Sequence, residues 1–127
     1  MKLLLDTHTF IWWDSDPSKL TPQALALLQD PANVVLLSVV SAWEIQIKRQ
    51  LGKLQLALPL AELIENQQKN GMSILPVNLE HVLAVEKLPL HHKDPFDRLL
   101  ISQAQSENAT LVSRDTEFSL YGIDVRW

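Results

Sequence analysis

Short runs of consecutive apolar residues, set between amphipathic stretches, constrain the fold of this chain more than any other feature. Leu3, Leu4 and Leu5 form the first run, and Val34 to Leu37 the second. A strand that is apolar at every position has no side to show to water, so it must be covered on both faces. Met72 to Leu75, Thr110 to Val112 and Ile123 to Val125 are the later strand candidates. Helical signals fill the intervals. Thr21-Pro22 supplies an N-cap and a first-turn proline ahead of Ala24, Leu25 and Leu28. Ser41 to Glu44 has the spacing of a capping box, and Trp43, Ile47 and Leu51 then recur every four residues until Gly52. Leu60 to Lys69 runs into Asn70-Gly71, a helix terminus. Asp94-Pro95-Phe96-Asp97 opens a further helix with Phe96, Leu100 and Ala104 on one face. The pattern predicts an α/β fold: a parallel, twisted sheet flanked by helices on both faces.

Composition narrows the function. At 127 residues, with three glycines and no polar linker, the chain is expected to be a single domain over residues 1–127. It has no cysteine, which removes disulfide frameworks, thiolate zinc sites and cysteine nucleophiles. The first apolar run ends at Asp6 after three leucines, too short for a signal peptide or a membrane span. A soluble, cytoplasmic protein with no membrane partner is expected. The net charge of −4 argues against a broad basic face for nucleic acid. Any phosphate partner therefore needs local neutralisation, which divalent cations on carboxylates would supply.

Four acids occupy comparable places. Asp6 directly follows the first strand, Asp115 follows the strand ending at Val112, and Glu44 and Asp97 fall in the first turns of two helices. In an open parallel sheet these positions gather beyond the carboxyl ends of the strands. Oxygen ligands of this kind suit Mg2+ or Mn2+, and crowded carboxylates make chemical sense around a cation. Such a centre activates water against a phosphodiester. Each acid also has a purely structural explanation. Glu44 completes the capping box, Asp97 favours a helix dipole, Asp115 caps a short helix before Phe118, and Asp6 ends a strand. Asp94, before Pro95, reads first as an N-cap.

Met1 to His8, Ser38 to Ile45 with Lys48 and Leu51 to Leu54, His92 to Leu100, and Ser113 to Asp115 with Phe118 together resemble the PIN-domain toxins of bacterial VapBC toxin–antitoxin modules. The resemblance keeps its order over essentially the whole chain. It implies a PIN-like parallel sheet, Mg2+- or Mn2+-dependent endoribonuclease activity on RNA, inhibition by a cognate VapB-type antitoxin, and a homodimer. Asp6, Glu44 and Asp97 match the core acids of that family and Asp115 the fourth; Asp94 belongs to an Asp-Pro-Phe-Asp segment found in one branch.

Several neighbours qualify as assisting groups. Thr7 and Ser113 stand beside core acids, where their hydroxyls either orient a carboxylate or make an ordinary local turn bond, the second being the expectation. Lys48, Arg49, Lys53, Arg98 and Arg114 are the candidate phosphate contacts, and Arg98 could equally pair with an acid. His8, His91 and His92 offer a weaker, metal-free acid–base reading, and His81 is expected at the surface of an amphipathic helix. Trp12, Trp13 and Trp43 are expected in a core or interface, with base stacking as the alternative. A phosphoryl-transfer enzyme with Asp6 as nucleophile wants a second aspartate where His8 stands. The remaining rivals are a PIN-like module that binds RNA or protein without cutting, and a PIN nuclease of RNA processing without an antitoxin.

Overall fold

Five strands, all parallel, are joined by helices that lie on both sides of the sheet, as the apolar runs require. The computed structural model describes residues 1–127. The strands are β1 (Lys2–Leu5), β2 (Val34–Ser38), β3 (Ser73–Leu75), β4 (Thr110–Val112) and β5 (Val125–Arg126), in the spatial order β3-β2-β1-β4-β5. The helices are α1 (Thr7–Ser15), α2 (Pro22–Gln29), α3 (Val39–Gln50), α4 (Leu60–Lys69), α5 (Leu79–Ala84) and α6 (Pro95–Glu107). Short 3-10 turns cover Pro17–Lys19, Val85–Lys87 and Thr116–Tyr121. No helix is long and apolar enough to cross a membrane.

β1 sits at the centre, with Leu3, Leu4 and Leu5 fully buried. Alternation sends them to opposite cores. Leu3 and Leu5 join Phe10, Ala24, Leu37, Ile45 and Leu63 on one side, whereas Leu4 joins Val40, Leu100, Ile101, Leu111 and Phe118 on the other. The chain moves from β1 to β2 and β3 on one side, then crosses to β4 on the other. β1 and β4 therefore flank the switch point, where open sheets leave a crevice beyond the strand ends.

Several local expectations hold. Thr21 caps α2 by accepting from the Ala24 N–H, α4 spans the expected residues, and Asp94 caps α6 ahead of Pro95. The strand candidates at Met72 and Ile123 begin later, at Ser73 and Val125.

The expectation for α3 is corrected. Its N-cap is Ser38, not Ser41: the Ser38 hydroxyl accepts from the Val40 N–H and donates to the Gln103 side chain. β2 thus passes into α3 without a loop, and tertiary packing carries the β-branched Val39-Val40 pair into the helix. Ser41 lies within the helix, buried and without a hydrogen-bond partner, and Glu44 falls in the second turn. The buried stripe is Val40, Ser41, Glu44 and Ile45, whereas Trp43 and Leu51 are exposed by 59% and 62%. The capping box lies elsewhere. Asn78 accepts from the His81 N–H at 3.0 Å, and the His81 ring accepts from the Asn78 N–H at 3.2 Å. His81 is accordingly buried rather than at the surface.

Leu4→Ala is expected to cost about 3 kcal/mol, as for a well-packed core leucine. Leu51→Ala should stay within about 0.5 kcal/mol. Urea unfolding midpoints of the two variants check the assignment of Leu4 to the core and Leu51 to the surface, which equal losses would contradict.

Candidate active site

The carboxyl ends of β1 and β4 open onto a cleft of 240 Å³ lined by Asp6, Glu44, Asp94, Asp97 and Asp115 together with Thr7, His8, Lys48 and Phe118. The fold therefore brings all four expected acids, and Asp94, to one concavity. They arrive from four separate segments. Asp6 and Asp115 come from the ends of β1 and β4, Glu44 from α3, and Asp94 and Asp97 from the cap and first turn of α6.

Four of these carboxylates are held in place. Asp6 caps α1, its Oδ1 accepting from the His8 N–H at 2.7 Å and the Thr9 N–H at 3.3 Å. Its Oδ2 accepts the Ser113 hydroxyl, which also receives the Asp115 N–H at 3.0 Å. Glu44 is 5% exposed. It accepts the Thr7 hydroxyl at 2.6 Å and the Lys48 ammonium at 2.6 Å, which together offset the cost of its burial. Asp94 accepts from the Phe96 and Asp97 N–H groups. Asp115 caps the Thr116–Tyr121 turn through the Glu117 N–H and turns its Oδ2 to His92 Nε2 at 3.2 Å. The helix-cap explanations for Asp6, Asp94 and Asp115 are thus realised alongside their place in the cleft. The Thr7 hydroxyl instead reaches across 37 residues to Glu44, which corrects its expected local turn bond, whereas Ser113 makes the local bond to the Asp115 N–H and also orients Asp6.

Asp97 differs. Its carboxylate accepts no hydrogen bond from the protein, and its pKa is pushed up to about 7 from the usual 3.8. Burial is the largest cause, followed by the charges of Asp94 and Glu44 and, after a lowering by His92, that of Asp6. The neighbouring acids are close enough to be felt. They nevertheless stand apart: the one trio of metal-ligating side chains whose donor atoms all lie within 4.8 Å of one another is His92, Asp115 and Glu117. That His/Asp/Glu group, at the edge of the cleft, is a candidate metal-binding cluster. The all-oxygen donor set of the cleft itself fits a hard divalent cation that keeps much of its water.

A model of the PIN domain matches residues 3–123, nearly the whole chain. The chain belongs to the PIN-domain family. This PIN domain is similar to Ribonuclease VapC22 of Mycobacterium tuberculosis, 24% identical over 113 residues that cover 89% of this chain and 86% of that protein. Among solved structures, it is similar to VapBC2 from Rickettsia felis bound to a DNA fragment from their promoter. There the identity is 17% and the TM-score 0.71, over 99% of this chain and 98% of that one. DNA-bound VapBC from Salmonella typhimurium gives 15% identity and a TM-score of 0.66, over 99% and 97%. Both likenesses concern the fold.

The cations of this PIN domain divide by task. Burial works against the charge on Lys48, yet its pKa is raised by the hydrogen bond to Glu44 and by the charges of Glu44, Asp94 and Asp97. Its i,i+4 spacing from Glu44 is the signal that sequence reading passed over. Arg98 turns away from the cleft. It donates to the carbonyls of Val85, Leu88, Pro89 and His92, a correction to its place among assisting or phosphate-binding groups. Arg49 and Lys53 do not line the cleft. His92 is buried, stacked on Phe118 at 4.8 Å, and donates its main-chain N–H to the Tyr121 hydroxyl at 2.6 Å. It therefore anchors Asp115, a role that no local motif announces.

A carboxyl whose folded pKa exceeds its unfolded one keeps its proton longer in the folded state. That contribution to stability is greatest below the usual 3.8 and is lost as pH rises through about 7. The melting temperature of metal-free protein should therefore fall between about pH 5 and about pH 8, and Asp97→Asn should remove most of that fall. An unchanged slope in the variant would show that Asp97 is not the group responsible.

Proposed function

We propose that the chain is a single PIN domain, residues 1–127, acting as a divalent-metal-dependent endoribonuclease and as the toxin of a toxin–antitoxin pair. One observation carries the enzymatic reading. A fold with ordinary means of pairing its charges instead lines one cleft with five acids and leaves Asp97 without any hydrogen-bond donor. Such a carboxylate is costly alone and well suited to a cation.

Asp6, Glu44 and Asp97 would hold Mg2+ or Mn2+, with Asp115 as the fourth acid. When bound, the ion supplies a water of lowered pKa and positive charge against the phosphate. The protein does the positioning. Thr7 and Lys48 fix the two oxygens of Glu44, Ser113 and the first turn of α1 fix those of Asp6, and His92 holds Asp115. Pre-set carboxylates need no reorganisation when substrate arrives. Asp94 shapes the site as the cap of α6 and raises the pKa of Asp97.

Membership of the PIN family and the similarity to a protein named as a ribonuclease support the choice of RNA as substrate. The similarity to VapBC complexes supports a VapB-type antitoxin as partner. The family resemblance supports a homodimer.

Purified protein freed of any partner should cut RNA with Mg2+ or Mn2+ and not with chelator, leaving 5′-phosphate and 3′-hydroxyl ends. Asp6→Asn and Asp97→Asn should lose about 100-fold or more, and Thr7→Val and Ser113→Ala about 10-fold, as groups that orient ligands do. Recovery of 2′,3′-cyclic phosphate ends would overturn the mechanism, and intact RNA with folded wild-type protein would favour the non-cutting binding module.

A further inference from the structure

Beside the acid cleft lies a second cavity, of 260 Å³, lined by Asp6, His8, Trp12, Arg114 and Asp115. Asp6, His8 and Asp115 line both, so the two adjoin. The wall of the second cavity is an aromatic platform. The Trp12 indole, half-buried, packs against Trp127 at 5.9 Å and against the His8 ring at 5.6 Å. The Arg114 guanidinium lies over it at 4.8 Å, and the Lys19 ammonium stands 5.8 Å from its centroid.

We propose that this cavity is a nucleobase subsite, in which Trp12 stacks the base of a single-stranded RNA nucleotide next to the phosphate held at the acid cleft. The inference rests on the RNA reading of that cleft and deepens it. The guanidinium over the indole occupies the face that a stacked base would use, so a base takes the same ring. Arg114 is exposed and makes no ion pair or hydrogen bond with the protein, even with Asp6 and Asp115 beside it. Moving it off the ring therefore breaks one cation–π contact and no hydrogen bond. The freed guanidinium then meets a backbone phosphate, as does Lys19. These two cations mark where a polyanion can approach a chain of net charge −4.

Size points the same way. The cavity is smaller than the roughly 300–1,000 Å³ pockets that enclose whole small ligands, and it suits one base of a strand. A recess of this kind admits a base that is splayed out, which single-stranded RNA provides and a duplex does not.

The test is equilibrium binding of fluorescein-labelled single-stranded RNA of about 12 nucleotides, by anisotropy, with Ca2+ in place of Mg2+. A set of oligomers lacking one base at a time is compared with the intact strand. One position should cost wild-type protein about 10-fold in affinity, Trp12→Leu should lose a similar factor on the intact strand, and that position should then fall silent. Trp12→Phe should restore most of the loss. Arg114→Gln, at an exposed residue that cannot disturb the core, should lower the slope of log affinity against log salt by about one ion.

An identical base-removal pattern in wild type and Trp12→Leu overturns the subsite, as does an unaltered salt slope in Arg114→Gln if Trp12→Leu fails to fold. Mg2+-dependent cleavage by the same wild-type preparation separates the two readings. Cleavage without dependence on Trp12 sinks the subsite alone, and Trp12-dependent binding without cleavage sinks the nuclease alone. Absence of both sinks both.

Discussion

A strand buried on both faces has no room for a charge along its length. Leu3 and Leu5 point into one dry core and Leu4 into the other, so the first place β1 can carry a carboxylate is its end, at Asp6. The same holds for β4, whose Leu111 and Val112 are fully buried and whose polar residues resume at Ser113. Because these strands are neighbours and parallel, their first polar residues emerge side by side: the Ser113 hydroxyl reaches Asp6, and the Asp6 N–H reaches the Val112 carbonyl at 3.2 Å. The acidic rim is thus a consequence of how completely the sheet excludes water.

Holding several acids at one rim requires that each be satisfied without neutralising the cleft, and helix starts solve most of this. Main-chain N–H groups at α1, α6 and the Thr116–Tyr121 turn take one oxygen each of Asp6, Asp94 and Asp115, leaving the other for the site or for one partner. Glu44 sits too far along α3 for a cap and uses Thr7 and Lys48 instead. A side chain serving as both cap and lining residue couples the stability of its helix to the charge of the cleft, so the site assembles as the helices form.

The sheet and the approximate place of most helices were legible in the sequence because unbroken apolar runs and proline after a capping residue act locally. The phase of α3 was not. Ser41 and Glu44 have capping-box spacing, but whether a helix begins at Ser38 or Ser41 depends on packing against Val40 and Gln103, which no local window contains. His81 misled for a related reason: an imidazole in the third helical position replaced the usual acid or amide of a capping box and turned inward. The four acids could be collected by topology, since Asp6 and Asp115 follow strands and Glu44 and Asp97 lie within the first two turns of helices that start at the rim. Their supports were hidden, because Thr7 to Glu44 and His92 to Asp115 join residues 37 and 23 positions apart.

Arg98 binds four carbonyl oxygens of the chain between Val85 and His92 and makes no hydrogen bond to the side chains there. Such a clamp reads the path of the backbone and is blind to what the backbone carries. Leu90, 82% exposed, can therefore change without loosening the segment that leads into α6. Surface identity in this stretch is free to drift between related proteins, while the position of Asp97, one residue before the clamp, stays where it is.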